Sequence, residues 1–369
     1  MRVLSEEIGP RLAGSEDEQA AIAYTRRELE RYGYDVEVQS FVVSGPETLR
    51  PAGLSGDGVG EIVAISLQGA GAGEVSGALV DAGTGNAAEF PAGATGAVVL
   101  VQRLDVPFVD MVRRAREAGA IGVVIANKEP GHFLGRIAPP SELPVVAIDQ
   151  AGGEALRDAL ALGPLTVSLS VGDLADITAY NIIARPPSGV CRTVSGGHVD
   201  SVPWAPGAND NASGSGLVLE LARASAVAGL SGHCFALWGA EELGLLGSLH
   251  FVESLPSAER DAIEAYYNYD VVAGADPPLV AGSRALTERA EELSPVAIQV
   301  SLDARELGSD HISFLDFGIP AIMVTTPSFD LIHTPQDTLS NLDLDFLDEV
   351  AALAFSFLTE SDGGALPTP

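Results

Sequence analysis

Residues Ser195–Gly216, SGGHVDSVPWAPGANDNASGSG, set how the rest of the chain is read. The β-type run leading into them, Val190–Gly197, delivers His198 and Asp200 two residues apart. Side chains at that spacing on a strand point the same way. A histidine and a carboxylate emerging together suit a metal ligand and its orienting partner. Ten residues on, Asp210 sits in a turn rich in Gly, Asn and Ser, and the apolar run Leu217–Leu221 then reads as a helix. Strand, loop and helix place three metal-capable side chains at the strand's carboxyl end, where open α/β sheets build their sites. Taken alone, the stretch also fits a sheet-edge loop whose polar residues serve only turns.

The 369 residues are enough for two domains, and 46% hydrophobic against 19% charged residues describe a folded chain. Acidic residues outnumber basic ones 51 to 20, for a formal charge of -31, and Lys128 is the only lysine. Such a surface repels polyanions, so nucleic acid and anionic membranes are set aside as partners. No apolar stretch approaches a bilayer span. The opening MRVLSEEIGPRL lacks a signal peptide's basic segment and apolar core. The expected location is cytoplasmic as the sequence stands, and exported or extracellular if a leader precedes Met1. Cys191 and Cys234 exclude a disulfide scaffold and a Cys-rich zinc site. Buried free thiols are the expected state, a bridge being open only if their strands are neighbours.

Ser15 and Glu18 form a capping-box pattern opening a helix to about Tyr32, and Asp35–Val43 alternates as a strand. From about Gly45 the chain turns Gly- and Ala-rich. Short strands are expected at Ile62–Leu67, Ala78–Val80, Ala97–Val101, Ile121–Ala126, Val145–Ile148 and Leu165–Val171, with helices at Phe108–Ala118 and Gly152–Leu160. Without a His or acid cluster this reads as a separate, non-catalytic module over residues 46–174. The main domain, 1–45 and 175–369, then resumes. Its strands are expected at Ala179–Ala184, Val190–Gly197, His233–Trp238, Ala262–Val272 and Pro320–Thr325, its helices at Ala212–Ala226, Glu242–Ser254 and Asp343–Thr359. The class is α/β, a mostly parallel sheet covered by helices on both faces, with a β-rich insertion.

Further acids and a histidine follow the same geometry. Glu241 and Glu242 come just after the strand HCFALWGA, Asp270 ends AYYNYD, and His333 lies in LIHTPQDT after AIMVTT. An acidic pair also suits a helix N-terminus, and a loop histidine is commonly unremarkable. Yet His198, Asp210, Glu242, Asp270 and His333 all fall at strand ends that one sheet must gather. Two imidazoles and three carboxylates suit two divalent ions if one carboxylate bridges: two Zn2+ by ligand type, with Mn2+ or Co2+ compatible. Glu241 is then the spare carboxylate, a general base.

The set GGHVDSV, GANDNASG, GAEELGLLGS, NYDVV, GSDHISF and IHTPQDT resembles, in order and spacing, the co-catalytic zinc exopeptidases. That family includes bacterial leucyl aminopeptidases, plasma glutamate carboxypeptidase and glutamate carboxypeptidase II. The resemblance covers residues 1 to about 45 and 175–369. The segment between, with FVDMVRRAREAGAIGVVIANK and LPVVAIDQAGGEAL, is similar to the protease-associated (PA) domain inserted in such enzymes. The resemblance implies a phosphorylase/hydrolase-like fold. It also implies that His198, Asp210 and Asp270 hold one zinc and Asp210, Glu242 and His333 the other. Asp200 would orient His198, Glu241 would be the base, and Asp310 and His311 would support the site. Several relatives carry a tyrosine just before the second histidine; here that position is Ile332.

The leading expectation is an aminopeptidase acting on a peptide substrate. A carboxypeptidase or dipeptidase on the same scaffold stays open, since a carboxylate-reading site needs arginines and Arg284, Arg289 and Arg305 lie in a stretch available to line the pocket. A receptor-like binding protein fits less well, because all five ligands and the base are present, and so does a one-metal glutaminyl cyclase. Oligomeric state leaves no mark on the sequence.

Overall fold

A computed structural model describes residues 1–45, 48–274, 277–294, 296, 298–301, 303–305 and 307–363. By spatial contact the chain divides into two compact units, Met1–Val42 with Thr178–Pro369, and Val43–Ile177.

The first unit is built on an eight-stranded sheet. Its strands are β1 (Asp35–Val43), β2 (Ile177–Arg185), β3 (Thr193–His198), β4 (His233–Trp238), β5 (Ala265–Tyr269), β6 (Leu279–Gly282), β7 (Gln299–Val300) and β8 (Ala321–Thr325), in the order β1-β2-β4-β3-β5-β8-β6-β7. The central run β4-β3-β5-β8 is parallel, while β2 and β6 pair antiparallel onto it. Strands β3, β4, β5 and β8 are buried along their whole length, as a sheet covered on both faces requires. The main helices are α1 (Glu16–Arg31), α2 (Ala212–Ala228), α3 (Leu246–Ser254), α4 (Arg284–Leu293), α5 (His311–Asp316) and α6 (Leu344–Gly363). One apolar layer gathers Leu217, Val218 and Leu221 of α2 with Val350, Leu353 and Phe357 of α6; another gathers Trp238, Phe251, Tyr266 and Phe314. The chain leaves β3 for β4 on one side and later returns to β5 on the other. Side loops therefore part above β3, the crevice in which such sheets bind ligands.

The second unit has its own eight-stranded sheet, running in order through Gly60–Ile62, Ala52–Gly56, Thr166–Val171, Gly73–Asp81, Val98–Gln102, Gly122–Ala126, Val145–Ile148 and Ile65–Ser66. Helices Phe108–Glu117 and Gln150–Leu162 accompany it. Val98–Val101, Val123–Ala126 and Val145–Ile148 are fully buried, as their unbroken apolar runs require.

Four expectations need correction. Cys191 and Cys234 are not free thiols but a disulfide, because parallel pairing of β3 with β4 brings their Cα atoms to 5.3 Å, within bridging range. The helix expected from Glu242 begins only at Leu246; Ala240 and Leu245 adopt left-handed φ (55° and 61°), so residues 240–245 form a turn. The Ser15 hydroxyl accepts the Glu18 N–H, but the Glu18 carboxylate accepts from Gly14 N (2.7 Å) and Tyr180 N (3.4 Å) instead of closing a capping box. Strand β6 and helix α4 went unforeseen, the strand following directly on Pro277 and Pro278.

Candidate metal centre

His198 is the last residue of β3, and Asp270 follows the last residue of β5. Parallel register pairs Gly196 with Asn268, so these two side chains stand at the same height. The His198 Nε2 lies 3.2 Å from Asp270 Oδ1 and 3.1 Å from Asp210 Oδ1. Asp210 Oδ2 lies 3.0 Å from His333 Nε2, which is also 3.0 Å from Glu242 Oε2. The donor atoms of His198, Asp210 and Asp270, and those of Asp210, Glu242 and His333, form two groups each within 4.8 Å. These are the only such groups among the described residues, and Asp210 belongs to both.

Local structure explains how a long loop holds Asp210 there. Asn211 caps α2 by accepting from Gly214 N (2.8 Å) and reaches across to the Tyr269 carbonyl (2.9 Å). A Cβ at Gly214 would run into that same carbonyl, so the glycine allows α2 to approach β5. The Ser215 hydroxyl donates to the His198 carbonyl at 2.6 Å, and the Ala273 N–H donates to Asn209 Oδ1 at 2.9 Å. His333 has φ 55°, and its carbonyl accepts from the Trp204 indole at 2.9 Å.

Asp200 acts differently from expectation in one respect. Its backbone carbonyl, at 3.1 Å, is the nearer partner of His198 Nδ1; the carboxylate is 3.5 Å away. That carboxylate instead accepts the N–H groups of Glu241 (3.2 Å) and Glu242 (3.3 Å), which holds both acids in the turn after β4. The Ser309 hydroxyl donates to Asp270 Oδ2 at 2.6 Å. Asp310 is fully buried, with neither oxygen hydrogen-bonded, and burial pushes its pKa up to about 7. His311 Nε2 meets the Ala304 carbonyl at 2.8 Å and does not join the cluster.

Burial alone would disfavour charge on every one of these groups. For His198 burial is outweighed by Glu241, Asp270, Asp200 and Asp210, which hold the imidazole well above its ordinary range. Burial is likewise outweighed at His333, by Glu242 and Asp210, and at Asp210, whose two imidazole partners hold it far below the usual carboxylate range. Burial, with neighbouring acids adding to it, pushes Glu241 and Glu242 up against the opposing pull of the histidines. Glu242 Oε1 is buried with no hydrogen-bond partner. An unsatisfied carboxylate oxygen facing nitrogen and oxygen donors at these spacings is what a divalent cation of zinc type would satisfy.

A cavity of about 150 Å3 opens on Asp210, Glu241, Glu242, Asp270 and His333, with Val271, Leu307, Met323, Phe329 and Ile332 as its apolar lining. No arginine is among the described residues lining it. Arg284 pairs with Glu288, Arg289 with Glu292 and Glu360, and Arg305 with Asp316, so the arginines expected to read a carboxylate are engaged elsewhere.

The model of Peptidase family M28 matches residues 181–358, and the model of the PA domain matches residues 67–156. Aminopeptidase YwaD of Bacillus subtilis (strain 168) is 30% identical over 97% of this chain and 82% of its own length. The chain belongs to peptidase family M28. Two solved structures agree with that membership. BSAP, a zinc aminopeptidase from Bacillus subtilis, superposes with a TM-score of 0.85 at 28% identity, over 98% of this chain and 93% of its own. An aminopeptidase from Aneurinibacillus sp. strain AM-1 gives 0.70 at 30% identity, over 100% and 94%. This M28 chain is a metallo-exopeptidase with an inserted PA domain, as its motifs imply. No helix among the described residues is long and apolar enough to cross a membrane.

Sequence reading passed over three residues that the structure puts beside the cluster. Arg11, Glu18 and Asp337 are all buried, and each bonds backbone that carries a cluster residue or its neighbouring strand. Glu18 is expected only as part of a capping box, and Asp337 only as part of LIHTPQDT.

Proposed function

We propose that this chain is an aminopeptidase removing N-terminal residues from peptides. His198, Asp210 and Asp270 would hold one zinc ion and Asp210, Glu242 and His333 a second. The observation that carries the reading is Asp210, whose two oxygens face different imidazoles at 3.1 and 3.0 Å, the disposition of a bridging ligand. Bound zinc, or manganese or cobalt in its place, supplies Lewis-acid polarisation of the scissile carbonyl and a water acidic enough to attack at neutral pH.

The remaining chemistry belongs to the protein. Glu241 borders the cavity and belongs to neither donor group, so its carboxylate is free to take the proton of the attacking water. It returns that proton to the amine nitrogen as the C–N bond breaks. Burial pushes its pKa up, against the pull of His198. Asp200 positions Glu241 and Glu242 through their N–H groups. The acids around the cavity suit a substrate's free α-amine, and the absence of arginine from its described lining disfavours a carboxylate-reading site. Val271, Leu307, Met323, Phe329 and Ile332 offer an apolar surface to the terminal side chain. Ile332 brings no hydroxyl to the oxyanion. The Cys191–Cys234 bridge favours an oxidising compartment, hence export.

The test compares leucyl-p-nitroanilide with its N-acetylated form, alongside elemental analysis of the purified protein. Two zinc ions per chain and cleavage of the free-amine substrate alone are expected. Equal cleavage of both, or a requirement for a free C-terminal carboxylate in dipeptides, would refute the aminopeptidase reading; a metal-free, inactive protein would point to a binding role.

A further inference from the structure

The bridging carboxylate sits on a loop that must thread from β3 to α2, and two buried side chains grip its backbone from opposite chemical sides. Arg11 is fully buried and has no carboxylate partner among the described ion pairs. Its guanidinium spends its donors on carbonyls: Nε on Val199 (2.9 Å), Nη1 on Pro206 (2.8 Å) and on Leu4 and Gly9, Nη2 on Gly207 (3.0 Å). Asp337 takes the N–H groups of the same segment. Its carboxylate accepts from Asn209 (2.7 Å) and Asp210 (3.1 Å), and its carbonyl accepts from Ala208 (3.3 Å). Asp337 lies four residues past His333, so it ties the loop bearing one imidazole to the loop bearing the bridge.

We infer that Arg11 and Asp337 form a clamp that presets Asp210 between the two donor groups, making them positioning residues for metal binding. The inference rests on the reading of the cluster as a zinc site. Neither residue belongs to the donor groups or the cavity lining. A preset ligand gives up less freedom when the ion arrives, and partners of this kind are worth about 10- to 100-fold in metal affinity. A fully buried guanidinium without an ion pair is costly to keep for packing alone.

The test titrates metal-free wild type, Asp337→Asn and Arg11→Lys with zinc against a chromophoric chelator, with the melting temperature of each metal-free protein recorded alongside. Asn retains one acceptor and the size of Asp, and Lys retains the charge of Arg without its fork of donors. Zinc affinity lower by about 10- to 100-fold in both variants is expected. Affinity equal to wild type, even with a lowered melting temperature, would show that the clamp only stabilises the fold and would overturn the inference. Should either variant fail to fold, hydrogen exchange in metal-free wild type decides. Slow exchange at Asn209 and Asp210 supports the clamp, and exchange at the rate of an open loop overturns it. Wild type that takes up no zinc sinks the metal reading itself, an outcome distinct from variants that match a zinc-binding wild type.

Discussion

Replacing both half-cystines, Cys191→Ala with Cys234→Ala, separates what holds the peptidase unit together from what makes it work. The bridge closes a loop of sequence separation 43 that contains β3, α2 and the first residues of β4. Loop-closure entropy of that length, removed from the unfolded chain, corresponds to about 4 kcal/mol at 25 °C. For a folding unit of about 230 residues, where 1 kcal/mol moves the midpoint by about 2–4 °C, the loss is about 8–16 °C in melting temperature. Cys234 is fully buried, and Ala leaves only a small void in its place. Turnover should stay within about two-fold of wild type when measured well below the midpoint. The bridge lies at the amino ends of β3 and β4, whereas His198 and Glu241 leave their carboxyl ends, about 20 Å away for six-residue strands. The assay is calorimetry of metal-free protein, so that zinc linkage does not enter, with kcat determined separately on zinc-loaded protein. Reductant added to wild type should reproduce the variant's shift. An unchanged midpoint would refute the entropic reasoning, and a large fall in kcat at unchanged stability would show that the bridge shapes the site.

Three further outcomes test the site. Glu241→Gln should retain both metals by elemental analysis while kcat falls about 10²- to 10⁴-fold, the range for a lost general base; near-normal turnover would remove it from that role. Asp210→Asn should lose metal as well as rate, since a neutral amide cannot replace a charged bridge, and zinc stoichiometry equal to wild type would contradict the shared-ligand geometry. Burial, with Asp200 adding to it against the N–H bonds of Gly14 and Tyr180, pushes Glu18 up to about 8. Its folded pKa exceeds its unfolded value, so its contribution to stability is complete below about pH 4.5 and drains away as pH rises through about 8. Glu18→Gln should therefore gain stability relative to wild type between pH 5 and 9, and melting curves whose difference is flat across that range would exclude the effect.

Much of the site could be read from the chain because its residues obey a local rule. His198, Asp270 and the Glu241–Glu242 pair each come at the end of a β-type run, and parallel strands put their carboxyl ends together. What escaped is what depends on partners distant in sequence. Arg11 occupies a stretch just before α1 with no periodicity, and its meaning comes from the carbonyls of Val199, Pro206 and Gly207. The acids of Glu241–Glu242 suggested a helix N-terminus. The Asp200 carboxylate, some forty residues earlier, takes their N–H groups and keeps them in a turn. The expectation of free thiols fails because a bridge depends on β3 lying beside β4, and strand order is a property of the whole sheet.

The carboxylates around the site divide into two kinds, and the division is itself evidence of what belongs between them. Asp200 and Asp337 each accept two backbone N–H groups, the usual way in which a buried carboxylate is satisfied by protein alone. Among the described residues, Asp210 and Glu242 receive no such donors on their carboxylates; their close partners are His198 and His333, and Glu242 Oε1 has none. Were the cluster purely structural, the fold would be expected to treat all four alike. Its N–H groups go instead to the acids that brace the loops, and the oxygens of Asp210 and Glu242 Oε2 are left to the imidazoles. Carboxylates at that density, met by two imidazoles, by the Ser309 hydroxyl at Asp270 and by nothing at Glu242 Oε1, are a costly arrangement for the protein alone. A dication in each donor group would remove that cost, with both imidazoles neutral as its ligands.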